Sequence, residues 1–351
     1  MRDVVTLAVS GGEFAGWTEV EIALGIEQVA GAFDIALSER WPGQAVARPI
    51  VEGERCAISI DGEVVITGNV DDVVPSFDAE HDRIQVRGRD ATGDLVDCAA
   101  IHQGGEWTGA TLATIARDLL APFSIPLTVE TDVGGPWTHV FKLQTGETVF
   151  EALERAARMR GVLLTSDGRG GLVLTRAGRE RIGTALVEGE NILGGQGYKS
   201  VRERFSEYRV LAQSPGDDGG FGETVAALSA VEKDAGVGRY RPLIIHAEDN
   251  ADQAALERRA RWEKNVRIGR ATRPRLTVHG WSHADGVWRP NRLVEVRSPT
   301  LKAEGEFLIT EVRLRQSNQD GTTAVLTLAR PEAFDVEPLA EDAGDSDEGV
   351  F

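Results

Sequence analysis

The segment at residues 56–66, CAISIDGEVVI, decides the fold class of the N-terminal part of the chain. Apolar residues alternate with small or polar ones before the dipeptide Asp61-Gly62, and Val64 and Ile66 follow it on one face. A period of two is typical of half-buried strands, and Asp-Gly supplies the positive φ angles of a two-residue hairpin turn. The segment therefore predicts an antiparallel β-hairpin.

The same alternation recurs outward from this hairpin. It is found at residues 20–24 and 33–37, and again in a shorter form at residues 84–86. Several short strands with turn residues between them indicate a small antiparallel barrel or sandwich. We expect residues 1–98 to form a first β-barrel domain.

The hydrophobic period changes to that of helices in the next part of the chain. Four apolar residues share one face of a predicted helix: Leu112, Ile115, Leu119 and Leu120. Pro122 ends this pattern. A second helix is predicted from Thr148, because Glu151 completes a capping box and Gly161 suits a left-handed C-terminal cap. With a hairpin after it, residues 99–182 are predicted to form a compact α+β module.

Strand patterns return in the C-terminal half and enclose one helical segment. They lie at residues 205–211, 276–278, 293–296, 307–312 and 324–328. A third helix is predicted between Asp249 and Lys264, with Asn250 as its N-cap. Strands on both sides of an insertion indicate a discontinuous domain. We expect a second β-barrel over residues 183–234 and 274–334, with residues 235–273 inserted, which makes the whole fold α+β and mostly β.

The last residues of the chain differ in composition from the rest. Residues 332–351 contain eight Asp or Glu and no Lys or Arg. Such a segment buries too little apolar surface to offset the entropy of ordering it. We expect residues 335–351 to form an acidic disordered tail.

The bulk composition restricts the class of function. The 351 residues include 56 acidic and 38 basic ones, a net charge of -18, which repels a phosphate backbone and argues against sequence-specific nucleic-acid binding. Two cysteines without a C-x-x-C motif, Cys56 and Cys98, fit a reducing cytosol. Neither a signal peptide nor an apolar run long enough to span a bilayer is found, so no membrane anchor is expected.

Motifs that carry chemistry are weak. His279 and His283 have the spacing of a helical metal site, but Gly280 and a following turn favour a hairpin over a helix. Residues 280–284 lack the last glycine of a nucleophile elbow, and the glycines at residues 194–197 lack the G-K-[ST] ending of a phosphate loop. We therefore predict no catalytic residue, no cofactor and no metal.

One basic run stands out in this acidic chain. It contains eight cations within eighteen positions: Arg258, Arg259, Arg261, Lys264, Arg267, Arg270, Arg273 and Arg275. A solvated helix face is one interpretation, and a protein interface in which arginines pair with carboxylates of a partner is the other. Nucleic-acid binding comes third, because only Trp262 interleaves with the basic residues. We name Arg258, Arg261 and Arg270 as candidate interface residues.

Taken in order, a set of short stretches resembles the Mu-type baseplate hub proteins, which belong to the tails of contractile phages and related prophages and are similar to the T-even hub. The stretches are Gly16-Trp17 and residues 32–43, 88–90, 94–98, 150–158, 161–164, 239–242, 261–263, 280–281 and 287–291. The resemblance spans almost the whole chain, and the residues after Phe334 lie outside it. Their order and spread, more than any single stretch, identify the family.

The resemblance implies a trimer in which each subunit supplies two similar barrels, so that three subunits close a ring of six. Such a ring adapts a six-fold tail tube, or a tube-adaptor protein, to a three-fold spike, and DNA passes through its channel. The expected location is the baseplate of the virion tail, and the host cytoplasm before assembly. Two alternatives stay open: a tail-associated cell-wall hydrolase, and a spike or hub component of a related injection system such as a tailocin or gene-transfer particle.

Overall fold

The computed structural model forms two compact units, one from the described residues of Met1–Tyr198 and Arg273–Pro331, and the other from those of Lys199–Thr272 with residues 332–334. The structure describes residues 4–38, 50–78, 82–137, 140–178, 180–211, 229–246 and 253–334. The predicted N-cap Asn250 and the acidic segment 335–351 lie outside these ranges.

The elements of the first unit are mostly strands. Before the second unit the chain forms β1 (Val5–Val9), β2 (Gly12–Phe14), β3 (Glu19–Gly25), β4 (Ala32–Ser38), β5 (Arg55–Ile60), β6 (Glu63–Phe77), β7 (Asp82–Asp90), α1 (Gly93–Asp97), β8 (Glu106–Trp107), α2 (Leu112–Leu120), β9 (Leu127–Val129), β10 (Phe141–Lys142), α3 (Val149–Met159), β11 (Leu163–Ser166), β12 (Leu172–Thr175), β13 (Glu180–Arg181), β14 (Leu186–Val187) and β15 (Ile192–Gln196). The second unit contains β16 (Glu207–Leu211), β17 (Ser229–Lys233), β18 (Pro242–His246) and α4 (Gln253–Arg270). The chain then returns to the first unit with β19 (Arg275–His279), β20 (Ser282–His283), β21 (Gly286–Val287), β22 (Arg292–Ser298), β23 (Ala303–Ser317) and β24 (Gly321–Ala329).

Fourteen strands of the first unit form one continuous sheet. Its order is β15-β19-β24-β23-β3-β4-β7-β6-β5-β1-β2, and β22 joins it beside β23 with β13 and β14 on its own far side. Strand β23 connects the two halves, since it pairs with β22 and β24 of the C-terminal half and with β3 of the N-terminal half. We call β1–β7 the first strand half, and β13–β15 with β19, β22, β23 and β24 the second strand half.

The prediction of two separate closed barrels needs correction. Among the described residues, the pairings form a path that ends at β15 and at β2, and no pairing closes either half. The α+β, mostly β class is confirmed. Alternating apolar residues predict a strand but not the strand with which it pairs. Because β23 has 15 residues, it can pair with strands of both halves.

The two halves also share one hydrophobic core. Its buried cluster includes Ile22 and Ile58 from the first strand half and Phe307 and Leu326 from the second. Trp281 is fully buried, and its indole Nε1 donates to the carbonyls of Arg315 and Thr323 at 3.1 Å each. A core that receives side chains from both halves leaves neither half an independent interior.

Local turn and cap predictions are confirmed. Ile60 pairs with Glu63 across Asp61 and Gly62, whose φ angles of 49° and 84° are both positive, as a type I′ hairpin turn requires. At the start of α3 the Thr148 side chain accepts from the Glu151 backbone, and the Glu151 carboxylate accepts from the Thr148 backbone, which completes the capping box.

The α+β module has a second core of its own, to which α2, α3 and the three-stranded sheet β11-β12-β9 contribute. The turn between β11 and β12 lies against β6 of the main sheet. A Cβ placed on Gly168 would lie 2.6 Å from the Val65 carbonyl oxygen, closer than real Cβ atoms approach. Gly168 also has a φ of +71°, so both its backbone angle and its contact require glycine.

Asp90 fixes the same junction from the side of β7. Its side chain accepts from the Thr92 backbone at 3.0 Å and hydroxyl at 2.9 Å, and from the Ser166 hydroxyl at 2.8 Å. Only 2% of Asp90 is exposed, and this burial raises the pKa of its carboxyl above the ordinary value. The residue therefore joins the end of β7 to the β11–β12 hairpin at an electrostatic cost when it is ionised.

The second unit is a small sheet, β17-β16-β18, packed against α4. Its central strand pairs in antiparallel fashion with β17 and in parallel with β18. The strand patterns predict that residues 183–234 belong to the second barrel. This is wrong for β16 and β17, which form this separate sheet. The reason is again that a strand pattern does not reveal its partner strand. Helix α4 runs to Arg270, six residues beyond the predicted end.

Replacing Gly168 by alanine tests the close approach of the β11–β12 turn. The variant combines left-handed backbone strain of about 1–2 kcal/mol with an overpacking cost of about 1–3 kcal/mol. Gly146 is the matched control, because its φ is +83° and a Cβ there meets nothing within 4 Å. Urea unfolding should show Gly168→Ala less stable than Gly146→Ala. Equal losses would mean that the turn does not contact β6.

Replacing Asp90 by asparagine tests the buried carboxyl. A carboxyl whose pKa is raised by folding binds its proton more tightly in the native state, so stability falls as pH rises from the unfolded value through the native one. Asp90→Asn keeps acceptors for Thr92 without the charge. Its stability relative to wild type should therefore increase between pH 4 and pH 7, which urea unfolding at several pH values measures. Asp90→Ala should lose stability at both ends. An Asp90→Asn variant as unstable as Asp90→Ala at pH 7 would contradict this account.

Candidate interaction surface

The basic run predicted from the sequence lies mainly on α4. Six of its eight cations fall within the helix, and Arg273 and Arg275 follow it. Arg258, Arg261 and Arg270 are all exposed. We call Arg258 and Arg261, which are three residues apart on one side of the helix, the basic face of α4. Arg270 lies nine residues beyond Arg261, on the opposite side of the helix.

Much of the remaining positive charge is paired within the second unit. Glu263 is only 8% exposed and accepts from Arg259 and Arg267, one helical turn to either side. Glu232 on β17 accepts from Lys264 at 2.6 Å, and this ion pair lowers the pKa of the glutamate. Arg259, Lys264 and Arg267 are therefore paired within their own unit, which agrees with the interpretation of the basic run as part of a helix without a partner protein.

The basic face keeps more of its charge available. The Arg261 side chain is 62% exposed, and its Nε lies 3.6 Å from Glu232, too far for a strong hydrogen bond. Arg258 is exposed, on the side of the helix away from the buried Leu256 and Ala260. The ion pairs of Arg259 and Arg267 with Glu263 can be predicted from the sequence, because these residues are four positions apart on a helix. The ion pair of Lys264 with Glu232 cannot, because the two residues are thirty-two positions apart.

A second polar surface lies on the exposed face of the main sheet. It carries four carboxylates and four guanidiniums that alternate across strands: Glu19, Glu21, Asp34 and Glu311, with Arg83, Arg87, Arg313 and Arg315. The N···O distances range from 2.7 Å for Glu19–Arg83 to 3.2 Å for Glu21–Arg313. Exposed pairs of this kind contribute about 0–1 kcal/mol each, so their main effect is to cancel charge along the face. We call it the charge-paired face.

The histidine pair is not brought into a metal site. His283 lies on β20, and Asp285 N donates to its Nδ1 at 3.2 Å. Desolvation lowers the pKa of His283, and its ring lies 4.6 Å from that of Trp288. His279 is exposed at the end of β19. Within the described ranges, no three His, Cys, Asp or Glu residues are grouped to hold a metal ion.

Residues of the first unit line three cavities, one of them along the charge-paired face. A second, of about 390 Å³, contains Arg273, whose guanidinium forms a bidentate pair with Glu27 at 2.5 and 2.8 Å. A third, of about 220 Å³, lies among Glu130, Ser166 and Arg289. No helix within the described ranges has the length and apolarity that a bilayer crossing demands.

Residues in the stretches that resemble the hub family make packing contacts, ion pairs and hydrogen bonds within the fold. In residues 88–90, Gly88 leaves room for the Phe33 ring, and Arg89 forms ion pairs with Asp71 and Asp97 at 2.7 Å each. Asn291 has a φ of 60° and accepts from Gly178 N at 2.9 Å. These residues therefore shape the fold.

Four family models match the chain in order. They are the N-terminal domain of the Mu phage baseplate assembly protein GpP-like family at residues 4–90, and the second domain of the baseplate hub protein gp44-like family at residues 92–176. The third domain of the tail protein NMB1110-like family matches residues 204–262, and the fourth domain of the Mu phage baseplate assembly protein GpP matches residues 252–337.

Individual relatives match over nearly the full length. The baseplate hub protein gp44 of Escherichia phage Mu is 36% identical over 366 residues, which cover 100% of this chain and 95% of that protein. A 43 kDa tail protein of prophage MuSo2 from Shewanella oneidensis is 36% identical with a TM-score of 0.83, covering 95% of this chain and 99% of that one. A tail protein from Neisseria meningitidis MC58 is 26% identical with a TM-score of 0.77, over 95% of this chain and 99% of that one.

Identity at this level over the whole chain, together with the shared fold, shows the family. The chain belongs to the Mu-type baseplate hub proteins of contractile phage tails.

Proposed function

We propose that this hub protein acts as a homotrimeric structural ring between the tail tube, or a tube-adaptor protein, and the central spike. The observation that carries the proposal is the single sheet that runs through both strand halves by way of β23. A subunit whose two halves are joined this way presents different surfaces at its two ends. Head-to-tail contacts between such surfaces form a closed ring when the rotation between copies is right.

The charge-paired face is proposed to line the channel of this ring. Strands of both halves contribute to it, so three copies would give a wall of uniform character. Its four carboxylates and four guanidiniums leave little net charge to hold the phosphates of passing DNA. The net charge of -18 over the whole chain supports the same view, since long-range attraction of DNA is absent.

The role we propose is structural and not catalytic. Within the stretches that resemble the family, Gly88 makes room for a ring, Arg89 forms ion pairs, and Asn291 accepts a backbone hydrogen bond. We propose that the protein resides in the tail baseplate of the virion and in the host cytoplasm before assembly. The basic face of α4 is proposed to contact a protein partner within that assembly.

The mass of the purified protein tests the ring. Sedimentation or light scattering should give three times the chain mass of 37.9 kDa, because only a closed set of copies buries every end of the subunit. A monomer at all concentrations would contradict the trimer.

Charge reversal separates the basic face from the trimer contact. Replacing Arg258 and Arg261, together with Arg270, by glutamate should impair assembly with tail partners in a protein that circular dichroism shows to be folded, because all three side chains are exposed. Reversal of Arg169, exposed in the β11–β12 turn, is the control. Assembly equal to that of wild type would remove α4 from the proposed interface.

A further inference from the structure

One row of paired residues crosses five strands of the main sheet and lines a cavity. The register pairs each member with the next, so all of them lie on the same side of the sheet. From β15 to β3 the row is Gln196, Arg275, Thr327, Glu311 and Gly25. All five line the cavity of about 390 Å³, a volume within the roughly 300–1,000 Å³ of ligand pockets. We call it the Arg275 cavity.

The two carboxylates that line this cavity are already paired. Both oxygens of Glu27 accept from the guanidinium of Arg273. One oxygen of Glu311 accepts from Arg313 Nε at 2.7 Å, and the other accepts from a threonine hydroxyl of β24 at 3.1 Å. Neither carboxylate is therefore left to neutralise Arg275.

The guanidinium of Arg275 has no partner within the part of the chain that the structure describes. The residue is exposed, and no carboxylate or carbonyl there accepts from its side chain. Beside it, the exposed side chains of Gln28, Gln196 and Tyr198 are equally without hydrogen bonds to described residues. The Tyr198 carbonyl accepts from Arg273 N at 2.9 Å, which holds this tyrosine next to the cavity's other arginine. The cavity thus has one guanidinium more than its ion pairs use, with further donors around it.

We propose that the Arg275 cavity binds a carboxylate side chain of a protein partner. A guanidinium fork matches a carboxylate in shape and charge, and amide and hydroxyl donors complete its hydrogen bonds. Tyrosine and arginine are also the residue types on which protein interfaces concentrate their binding energy. Glu311 belongs to the charge-paired face as well, so a partner held here lies on that side of the sheet. Binding at the cavity does not depend on the trimer.

A nucleic-acid strand fits this cavity less well than a carboxylate. One free guanidinium balances one negative charge, whereas a strand brings several phosphates in succession. Glu27 and Glu311 line the same cavity and repel any phosphate beyond the first. The net charge of -18 adds a long-range repulsion. Charge balance therefore favours a single acidic side chain as the occupant.

Ligand-observed NMR of the full-length protein tests the site. The probe is a blocked Gly-Glu-Gly tripeptide, and the transfer of saturation from the protein to its side-chain protons reports binding. A titration gives the Kd. A blocked Gly-Gln-Gly tripeptide at the same ionic strength should bind much more weakly, because its neutral amide forms no ion pair with the guanidinium.

Substitutions at Arg275 locate the contact. Arg275→Gln should raise the Kd of the Glu tripeptide roughly tenfold, through the loss of charge-assisted hydrogen bonds. Arg275→Lys keeps the charge without the fork and should give an intermediate Kd. Arg169→Gln is the matched control and should leave the Kd unchanged. Arg169 is exposed, its side chain has no partner among the described residues, and it does not line the cavity.

A measurement on the wild-type protein needs no variant to fold. Phenylglyoxal modifies exposed guanidiniums, and peptide mass spectrometry gives the extent of modification at each arginine. The Glu tripeptide should slow the modification of Arg275 and leave that of Arg169 unchanged.

Three results would overturn the proposal. The Gln tripeptide could bind as tightly as the Glu tripeptide, which would show that the carboxylate is not recognised. Arg275→Gln and Arg169→Gln could give the same Kd, which would place binding elsewhere. A short single-stranded DNA oligonucleotide could protect Arg275 at lower concentration than the Glu tripeptide, which would make the cavity a phosphate site. A protein that is monomeric in solution but passes these tests would refute the proposed ring and keep the site.

Discussion

The structure depends on one shared strand. A strand has only two edges, and β23 uses its 15 residues to pair with β22 over its first part and with both β24 and β3 over its second. The register from Glu311–Gly25 to Gln316–Val20 places Val312 and Leu314 on the same side as Ile22 and Leu24. The two strand halves consequently bury their apolar faces in one core. Both edges of β23 are hydrogen-bonded at the junction.

Turns, helix caps and strand positions can be predicted from the sequence, because each depends on residues that are close together in the chain. The Asp61-Gly62 turn, the Thr148 capping box and the strands at β19 and β22–β24 follow from residue types within a few positions of each other. The pairing of β23 with β3, which joins the two strand halves, cannot be predicted in this way. Alternating residues on β3 and β23 show that each strand has a buried face, but the pairing links residues almost three hundred positions apart. The same limit explains why β16 and β17 were assigned to the wrong neighbours.

The candidate surface was predicted in part. The helix, its cations and the exposure of Arg258 and Arg261 follow from composition and period, and the pairing of Arg259 and Arg267 with Glu263 follows from helical spacing. The ion pairs to Glu232 and the contact of Ala333 with Gly269 depend on tertiary packing. Arg259 and Arg267 are therefore paired within the helix, whereas Lys264 is paired through the small sheet that packs against it.

The family, the shared strand and the charge-paired face together support a subunit built for ring closure. Electron micrographs of the purified full-length protein, viewed along the symmetry axis, test this account most directly. It predicts a closed ring of three copies around an open channel, and a channel wall formed by the exposed side of the β19-β24-β23-β3-β4-β7 strands. Particles without a channel, or rings in which that side faces outward, would contradict it.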